Sequence, residues 1–222
     1  MKGKITPKNL LGKNNTKKEK ITLNNLITKV STNTVADAIK NTLHKKGVIE
    51  GVKPLNNKDI VMGKVVTVKT SSDDWGTSIK AIYEADKNDI LLIQCDNDEY
   101  AIWGEMASQA AKKHGLKATI IIGASRDTNE IFDLNYPVYS KSIRPNSGFP
   151  KNEGVINERL IIDDMVVCSN DIVVADVNGV VVIPSNKVDI VLEEVNNIIT
   201  FENQSIKKLL ESDDSLVDIL NI

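Results

Sequence analysis

An α/β fold is predicted for this chain of 222 residues, because short β-branched runs alternate along it with stretches of helical period. The clearest case is 118–122, a short apolar run rich in β-branched residues and suited to a strand buried on both faces, preceded by a helix that opens at Gly104-Glu105. A second is 90–94, which follows a helical stripe over 77–85. The third is the pair of runs 171–175 and 180–183 around Asp176-Val177-Asn178-Gly179. Asn-Gly between β-branched runs signals a hairpin with a type I′ turn.

Each element has its own reason. Residues 1–20 are rich in Lys and Asn, contain Pro7 and Gly12, and show no sustained period. They are expected to form a flexible basic arm ahead of a single domain spanning 21–222. Residues 21–30 suit a short strand or a helix equally. Ser31-Thr32-Asn33-Thr34 is a cluster of capping residues, with Thr34 and Asp37 spaced as a capping box. Val35, Ala38, Ile39 and Leu43 then give a helical stripe that ends near Gly47. A connector with Gly51 and Pro54 leads to a long strand over 60–69, where Gly63 permits a bulge or a close approach. Trp75 lies in a polar loop, 71–76, as a pocket border or as a lid on the core. The helix over 77–85 turns Ile79, Ile82 and Ala85 inward, and the strand from 90 either ends at 94 or continues to Ile102.

The helix from Gly104 has a small-residue face of Ala107, Ala110 and Ala111, and Gly115 stands where a left-handed cap is expected. The strand 118–122 breaks at Gly123-Ala124-Ser125. A strand over 137–142, a Pro/Gly/Asn-rich loop over 144–154 able to cover a site or a neighbouring subunit, and runs over 155–162 and 165–167 follow. A helical segment begins at about 185. Its last piece, 215–222, is too apolar for a solvated tail and is expected to pack on the body or on another subunit.

Composition narrows the function. Hydrophobic content is 41% and charged content 26%, ordinary for a globular protein. No apolar run approaches the length of a membrane span, and the N-terminus has no signal-peptide core, so a cytoplasmic location is expected. Cys95 and Cys168 each abut a strand-like run and read as buried free thiols. His44 and His114 sit at predicted helix ends beside lysines, which argues against a zinc hydrolase. Net charge is −2, with seven Lys against one Glu in residues 1–20, so the body is acidic. No nucleic-acid partner and no membrane are expected. No G-x-G-x-x-G loop supports a nucleotide-dependent methyltransferase.

The polar chemistry gathers at two turns. If the strands that precede them are parallel, Glu105, Arg126, Asp127 and Glu130 reach the same pole, at the carboxyl ends of the strands where α/β proteins bind ligands. The alternative is a surface Arg126–Asp127 ion pair with a solvated Glu130. Arg occurs only at 126, 144 and 159 in a Lys-rich chain, and its planar fork suits carboxylate recognition.

Glu105, twenty residues, Arg126-Asp127, two residues and Glu130 together resemble the signature of the class II pyruvate aldolases. These are the 4-hydroxy-4-methyl-2-oxoglutarate / 4-carboxy-4-hydroxy-2-oxoadipate aldolases, which share their fold with the regulator of ribonuclease activity A proteins. Flanking segments from about Ser31 to Pro184 are similar in the same order, including Asp37-Ala38-Ile39 and the run over 170–184. The resemblance implies a layered α-β-β-α sandwich of the swivelling phosphohistidine-domain type, here with a C-terminal helical extension. It implies cleavage of a small 4-hydroxy-2-oxo acid to pyruvate, with oxaloacetate decarboxylation as a side activity, in a homotrimer or dimer of trimers. Asp127 would be the direct ligand of Mg²⁺ (or Mn²⁺), with Glu105 and Glu130 acting through water. Arg126 and Glu105 would be catalytic. Gly104, Glu105, Met106, Ala107 and Arg126 would bind substrate, through backbone N–H groups at a helix start and the guanidinium. A non-catalytic, regulator-like trimeric protein-binding module is the other function the fold admits. The chain departs from the pattern at Ile122, where many members have Asp. The carboxylate that crosses between subunits has no fixed counterpart here, Glu193, Glu194 and Glu202 being its candidates. Asp171 and Asp176 are expected to serve turns.

Overall fold

One mixed sheet of ten strands carries the fold in the computed structural model, which describes residues 30–55 and 60–222. The basic arm expected at 1–20 and most of the undecided stretch 21–30 lie outside the described residues. The strands are β1 (Val48–Ile49), β2 (Lys53–Pro54), β3 (Val61–Thr70), β4 (Ile90–Cys95), β5 (Ala101–Trp103), β6 (Ala118–Ser125), β7 (Val138–Ile143), β8 (Val155–Ile156), β11 (Ile172–Asp176) and β12 (Gly179–Ile183). Their order is β1-β12-β11-β3-β4-β6-β7-β2, with β5 beside β6 and β8 beside β3. A separate antiparallel pair joins β9 (Leu160–Ile162) to β10 (Met165–Val167). The helices are α1 (Thr32–Leu43), α2 (Trp75–Glu84), α3 (Glu105–His114), α4 (Thr128–Leu134), α5 (Val188–Glu211) and α6 (Leu216–Leu220).

The two-residue period of the strands sorts their apolar side chains into layers. Val180 and Val182 of β12, Val173 and Ala175 of β11, Ile90 and Leu92 of β4, and Ile120 of β6 share one central cluster. Their neighbours point the other way. Val181, Ile183 and Val174 meet Val35 and Ile39 of α1 and Val191, Leu192 and Val195 of α5. Leu91, Ile93 and Ile121 meet Ala81 and Ile82 of α2, Ala107 and Ala111 of α3, and Ile131 of α4. β3 spans both outer layers, through Met62 at one end and Val66 and Val68 at the other. The sheet therefore encloses its own inner layer, with helices outside each half, the expected α-β-β-α arrangement. Among the described residues, no helix is long and apolar enough to cross a membrane.

Several local expectations are corrected. α1 is capped by Ser31, whose Oγ accepts the Thr34 N–H at 3.2 Å, while Asp37 pairs with Lys40 instead of completing a box. β4 stops at Cys95, and the chain loops out before β5. Trp75 opens α2, because Asp74 caps that helix through the Gly76 and Thr77 N–H groups. β6 continues through Gly123 to Ser125, since Ala124 and Ser125 go on pairing with Ser142 and Ile143 of β7. The run over 155–162 splits into β8 and β9. In the β11–β12 hairpin the positive φ falls on Gly179 (143°) and not on Asn178, so the turn is not type I′. There the Asp176 carboxylate accepts the Asn178 N–H at 2.7 Å, fixing a side-chain-closed turn. Cys168 is exposed, unlike buried Cys95, and both are free. α6 buries Ile219 while Leu216, Val217 and Ile222 remain exposed.

Candidate functional site

Parallel pairing puts the two motif turns at one pole. β5 runs parallel to the end of β6, with Trp103 opposite Ser125, and the Arg126 N–H donates to Trp103 O at 2.9 Å. Each strand then turns into a helix. Gly104 is the N-cap of α3 and Asp127 that of α4. The buried Trp103 indole N–H donates to Ser108 Oγ at 2.8 Å, and that hydroxyl donates to Gly104 O at 3.0 Å, so the turn is tied to the first turn of its own helix.

Glu105 N–H donates to Asp127 Oδ2 at 3.0 Å, bringing the two turns into direct contact. Arg126 Nε lies 3.6 Å from the same oxygen, and both side chains are only partly covered, 43% and 36% exposed. Gly104, Glu105, Arg126 and Asp127 are thus brought together. The carboxylates are not. Glu105 Oε1 accepts from Gln109 Nε2 at 2.8 Å, along the outer face of α3. Glu130 is exposed in the first turn of α4. Met106 is exposed, and Ala107 is buried under α3. Among the described residues, no group of three or more His, Cys, Asp and Glu side chains is placed to hold a metal ion. Of the carboxylates considered for a shared site, Glu194 is buried between α1 and α5, accepting from Asn41 at 3.0 Å and Asn197 at 3.2 Å. That engagement removes it from a neighbouring subunit's reach, whereas Glu202 is exposed.

Beyond this junction the loop over 144–154 bridges Ser147 to Ala101 and Phe149 to Asp74. It leaves the site at once: Arg144 N–H donates to Ser125 O, and further on Asn152 and Glu153 donate to Asp74 at 2.8 and 2.9 Å. Trp75 Nε1 donates to Gly148 O, so Trp75 fastens this strap. Asp171 and Asp176 are likewise structural, accepting from Ser185 N–H and from the Thr32 N–H and hydroxyl. Sequence reasoning missed Ser125, whose hydroxyl is buried with no hydrogen-bond partner among the described residues, one position before Arg126. A polar residue ending an apolar strand was the available signal. An open surface groove of about 560 Å³ lies elsewhere, beside α1, where Lys40, His44, Lys45 and Lys46 face Asp37 and Asp164. Its charges largely offset one another, and it holds none of the motif residues.

The chain belongs to the RraA-like family, whose Aldolase/RraA model matches residues 32–182. Over 139 residues it is 42% identical to an uncharacterized protein of Methanocaldococcus jannaschii, covering 61% of this chain and 66% of that one. Over 137 residues it is 31% identical to a Halalkalibacterium halodurans protein named "Putative 4-hydroxy-4-methyl-2-oxoglutarate aldolase", covering 61% and 65%. The chain thus spans just under two thirds of the length of these curated relatives. The solved structure of RraAS2 from Streptomyces coelicolor, described as an unusual member of the RNase ES inhibitor RraA family, superposes with a TM-score of 0.71 at 19% identity. That match covers 84% of this chain and 98% of that one and shows a shared fold.

Proposed function

We propose that this chain is a carbon–carbon lyase that cleaves a small 4-hydroxy-2-oxo acid to release pyruvate, using Mg²⁺ or Mn²⁺, and that it decarboxylates oxaloacetate as a side reaction. The observation that carries this reading is the contact between the two motif turns, Asp127 Oδ2 on Glu105 N–H at 3.0 Å with Arg126 beside them. The aldolase name given to a relative at 31% identity supports it.

The donor set fits a hard cation. It consists of carboxylate oxygens without thiolate or imidazole, and Mg²⁺ commonly takes one or two carboxylates and keeps several waters. Asp127 would hold the ion directly, and Glu105 and Glu130 would act through water. When bound, such an ion supplies Lewis acidity toward the 2-oxo group. Arg126 pairs with the substrate and offsets the negative charge that develops as the carbon–carbon bond breaks. Backbone N–H groups at the start of α3, in the turn from Gly104 through Ala107, bind the pyruvyl carboxylate, where the helix dipole favours an anion. Glu105 orients the water that takes the proton of the distal hydroxyl. A lysine Schiff base has no place in this scheme. Among the described residues this scheme uses Asp127 alone as a direct ligand, and a homotrimer or dimer of trimers would let a neighbour complete the site.

Pyruvate release coupled to lactate dehydrogenase tests the reading, with 4-hydroxy-4-methyl-2-oxoglutarate and oxaloacetate as substrates. Turnover is expected with Mg²⁺ or Mn²⁺, is abolished by EDTA, and falls by about 10²-fold or more in Arg126→Ala. Borohydride in the presence of pyruvate leaves activity intact. A folded protein inactive on both substrates with either ion would overturn the assignment. A second reading, a non-catalytic protein-binding module like the RraA regulators, is favoured by one observation: among the described residues no three potential ligands gather at one point. Failure of the wild-type chain to bind either ion, together with inactivity, is the outcome that selects it.

A further inference from the structure

α5 carries one apolar stripe along its length, and only the first half of it is covered. Val191, Leu192, Val195 and Ile198 recur at helical spacing and pack against α1 and the β11–β12 hairpin, with Ile199 beside them. The same spacing continues on the same side of the helix to Ile206, Leu209 and Leu210. Those three are 55%, 39% and 79% exposed. α6 folds back against α5, yet among its own residues only Ile219 is buried.

The direction of α1 explains where the cover stops. Thr32, at its start, donates to Asp176 at the turn of the β11–β12 hairpin. Past its other end, Gly47 O accepts the Val182 N–H, toward the open end of that hairpin. α5 starts at the open end, where Ser185 N–H donates to Asp171, and so runs back antiparallel to α1. Asn41, near the end of α1, accordingly donates to Glu194 early in α5, at 3.0 Å. The start of α1 therefore lies level with the part of α5 where the stripe goes bare. Val30, the first described residue, is buried in the same cluster as Val195 and Ile198. The 29 residues before it join the body there, at the edge of the uncovered half.

In the sequence, Leu23, Leu26, Ile27 and Val30 stand at i, i+3, i+4 and i+7, the positions of one helical face. The last of the four is already seated against α5. Seven residues reach about 10 Å as a helix and about 23 Å extended, which brackets the roughly 16 Å from Ile199 to Leu210. We propose that the bare half of the stripe is the seat of the chain's own N-terminal segment, with Leu23, Leu26 and Ile27 laid on Ile206, Leu209 and Leu210 of the same chain. Lys29 then falls near Glu202, which is exposed on the same stripe and carries the opposite charge. The contact ties together two segments that both lie outside the residues 32–182 matched by the family model. It goes beyond the lyase reading and stands or falls without it.

Hydrogen exchange on the full-length chain tests the contact from both sides. Leu23→Ser, Leu26→Ser and Ile27→Ser together are expected to speed exchange at the amides of 203–211 by about tenfold or more. Ile206→Ser with Leu210→Ser should do the same at the amides of 23–29. Combining all five changes should speed neither set much further, since each group of changes removes the same contact. Amides of β4 and the mass by light scattering are expected to stay at wild-type values throughout.

Exchange at 203–211 that is indifferent to the N-terminal changes overturns the proposal. So does wild-type protection there that fades on dilution, or a serine variant that loses mass, because a second copy of the chain then covers the stripe. Should the serine variants fold poorly, Ile27→Cys with Leu210→Cys in a Cys168→Ser background decides. Mild oxidation is expected to close a disulfide within one chain of 24.4 kDa. Chains linked in pairs, or no link at all, would sink the idea.

Discussion

Asp74 is fully buried, yet it carries a charge that the surrounding chain is built to receive. Burial alone pushes its carboxyl upward. Hydrogen bonds from Thr77, Glu153, Asn152 and Thr70 outweigh that and hold it well below the ordinary carboxylate range. A group depressed in the folded state contributes stability above its unfolded value of about 4, and loses it as pH falls toward the folded value. Asp74→Asn is therefore expected to cost about 3 kcal/mol at pH 7, measured by urea denaturation. The gap between wild type and variant should shrink steadily below about pH 4, and a gap that widened there would contradict the assignment. The helix-capping half of this role was within reach of the sequence, since Asp74 precedes a helical stripe. The other half was not: Asn152 and Glu153 lie 78 and 79 residues away and donate through their backbones, so their side chains carry no signal of it. The thiols make a second case. Burial drives Cys95 up to about 12, with Asp96 and Asp74 adding to it, so it is expected to resist a thiol reagent at pH 7 until the protein is denatured. Exposed Cys168 should react in the native protein, giving one fast equivalent and one released by denaturant. The sequence placed both beside strands and so read both as buried; which of them is covered depends on what packs over the strand end.

At the scale of elements, the pairing of β4 with β6 helps set the geometry of the site, and the two strands approach closely at Gly123. A Cβ on Gly123 would lie 2.8 Å from Cys95 Sγ and 3.0 Å from Cys95 Cβ. Gly123→Ala is therefore expected to cost about 2 kcal/mol by overpacking. The same change in a Cys95→Ala background should cost less, by about 1 kcal/mol, because the sulfur is gone. Strictly additive costs would show that the clash is not with Cys95. This contact also explains why the end of β6 was hard to read. Glycine in an apolar run signals a break, but here it is the space the neighbouring sulfur needs, and pairing with β7 carries the strand to Ser125. The alternation of strands and helices and the Gly115 cap (φ 99°) were legible, because each follows from local pattern; the parallel relation of the two motif turns entered only as a condition, which the pairing of β5 with β6 meets. The end of β4, the turn at Val177-Asn178 and the path of the strap were not, because long-range partners decide them. Ile122 packs against the central cluster, as its apolar character suggests.

The whole molecule joins these elements so that the candidate site sits where β5 and β6 end, with Arg126 and Asp127 partly open to solvent. An enzyme that handles a small oxo acid gains from excluding water around the reacting bond, and an open turn pair does not provide that exclusion by itself. Nor, among the described residues, do three or more His, Cys, Asp and Glu side chains gather there. Both shortfalls are met if the site lies against another copy of the chain, which leads to a prediction about mass and dilution. In solution the protein should run at about three or six times its chain mass of 24.4 kDa, by light scattering after size exclusion. If the neighbour completes the site, specific pyruvate-releasing activity should fall as the protein is diluted through its dissociation range, in step with the loss of the oligomer. Mg²⁺, by binding the assembled form, should shift that range to lower protein concentration. An active 24.4 kDa monomer whose specific activity is independent of concentration would instead place the complete site within a single chain, and Glu105, Asp127 and Glu130 would then have to draw together around the ion from where they now stand apart.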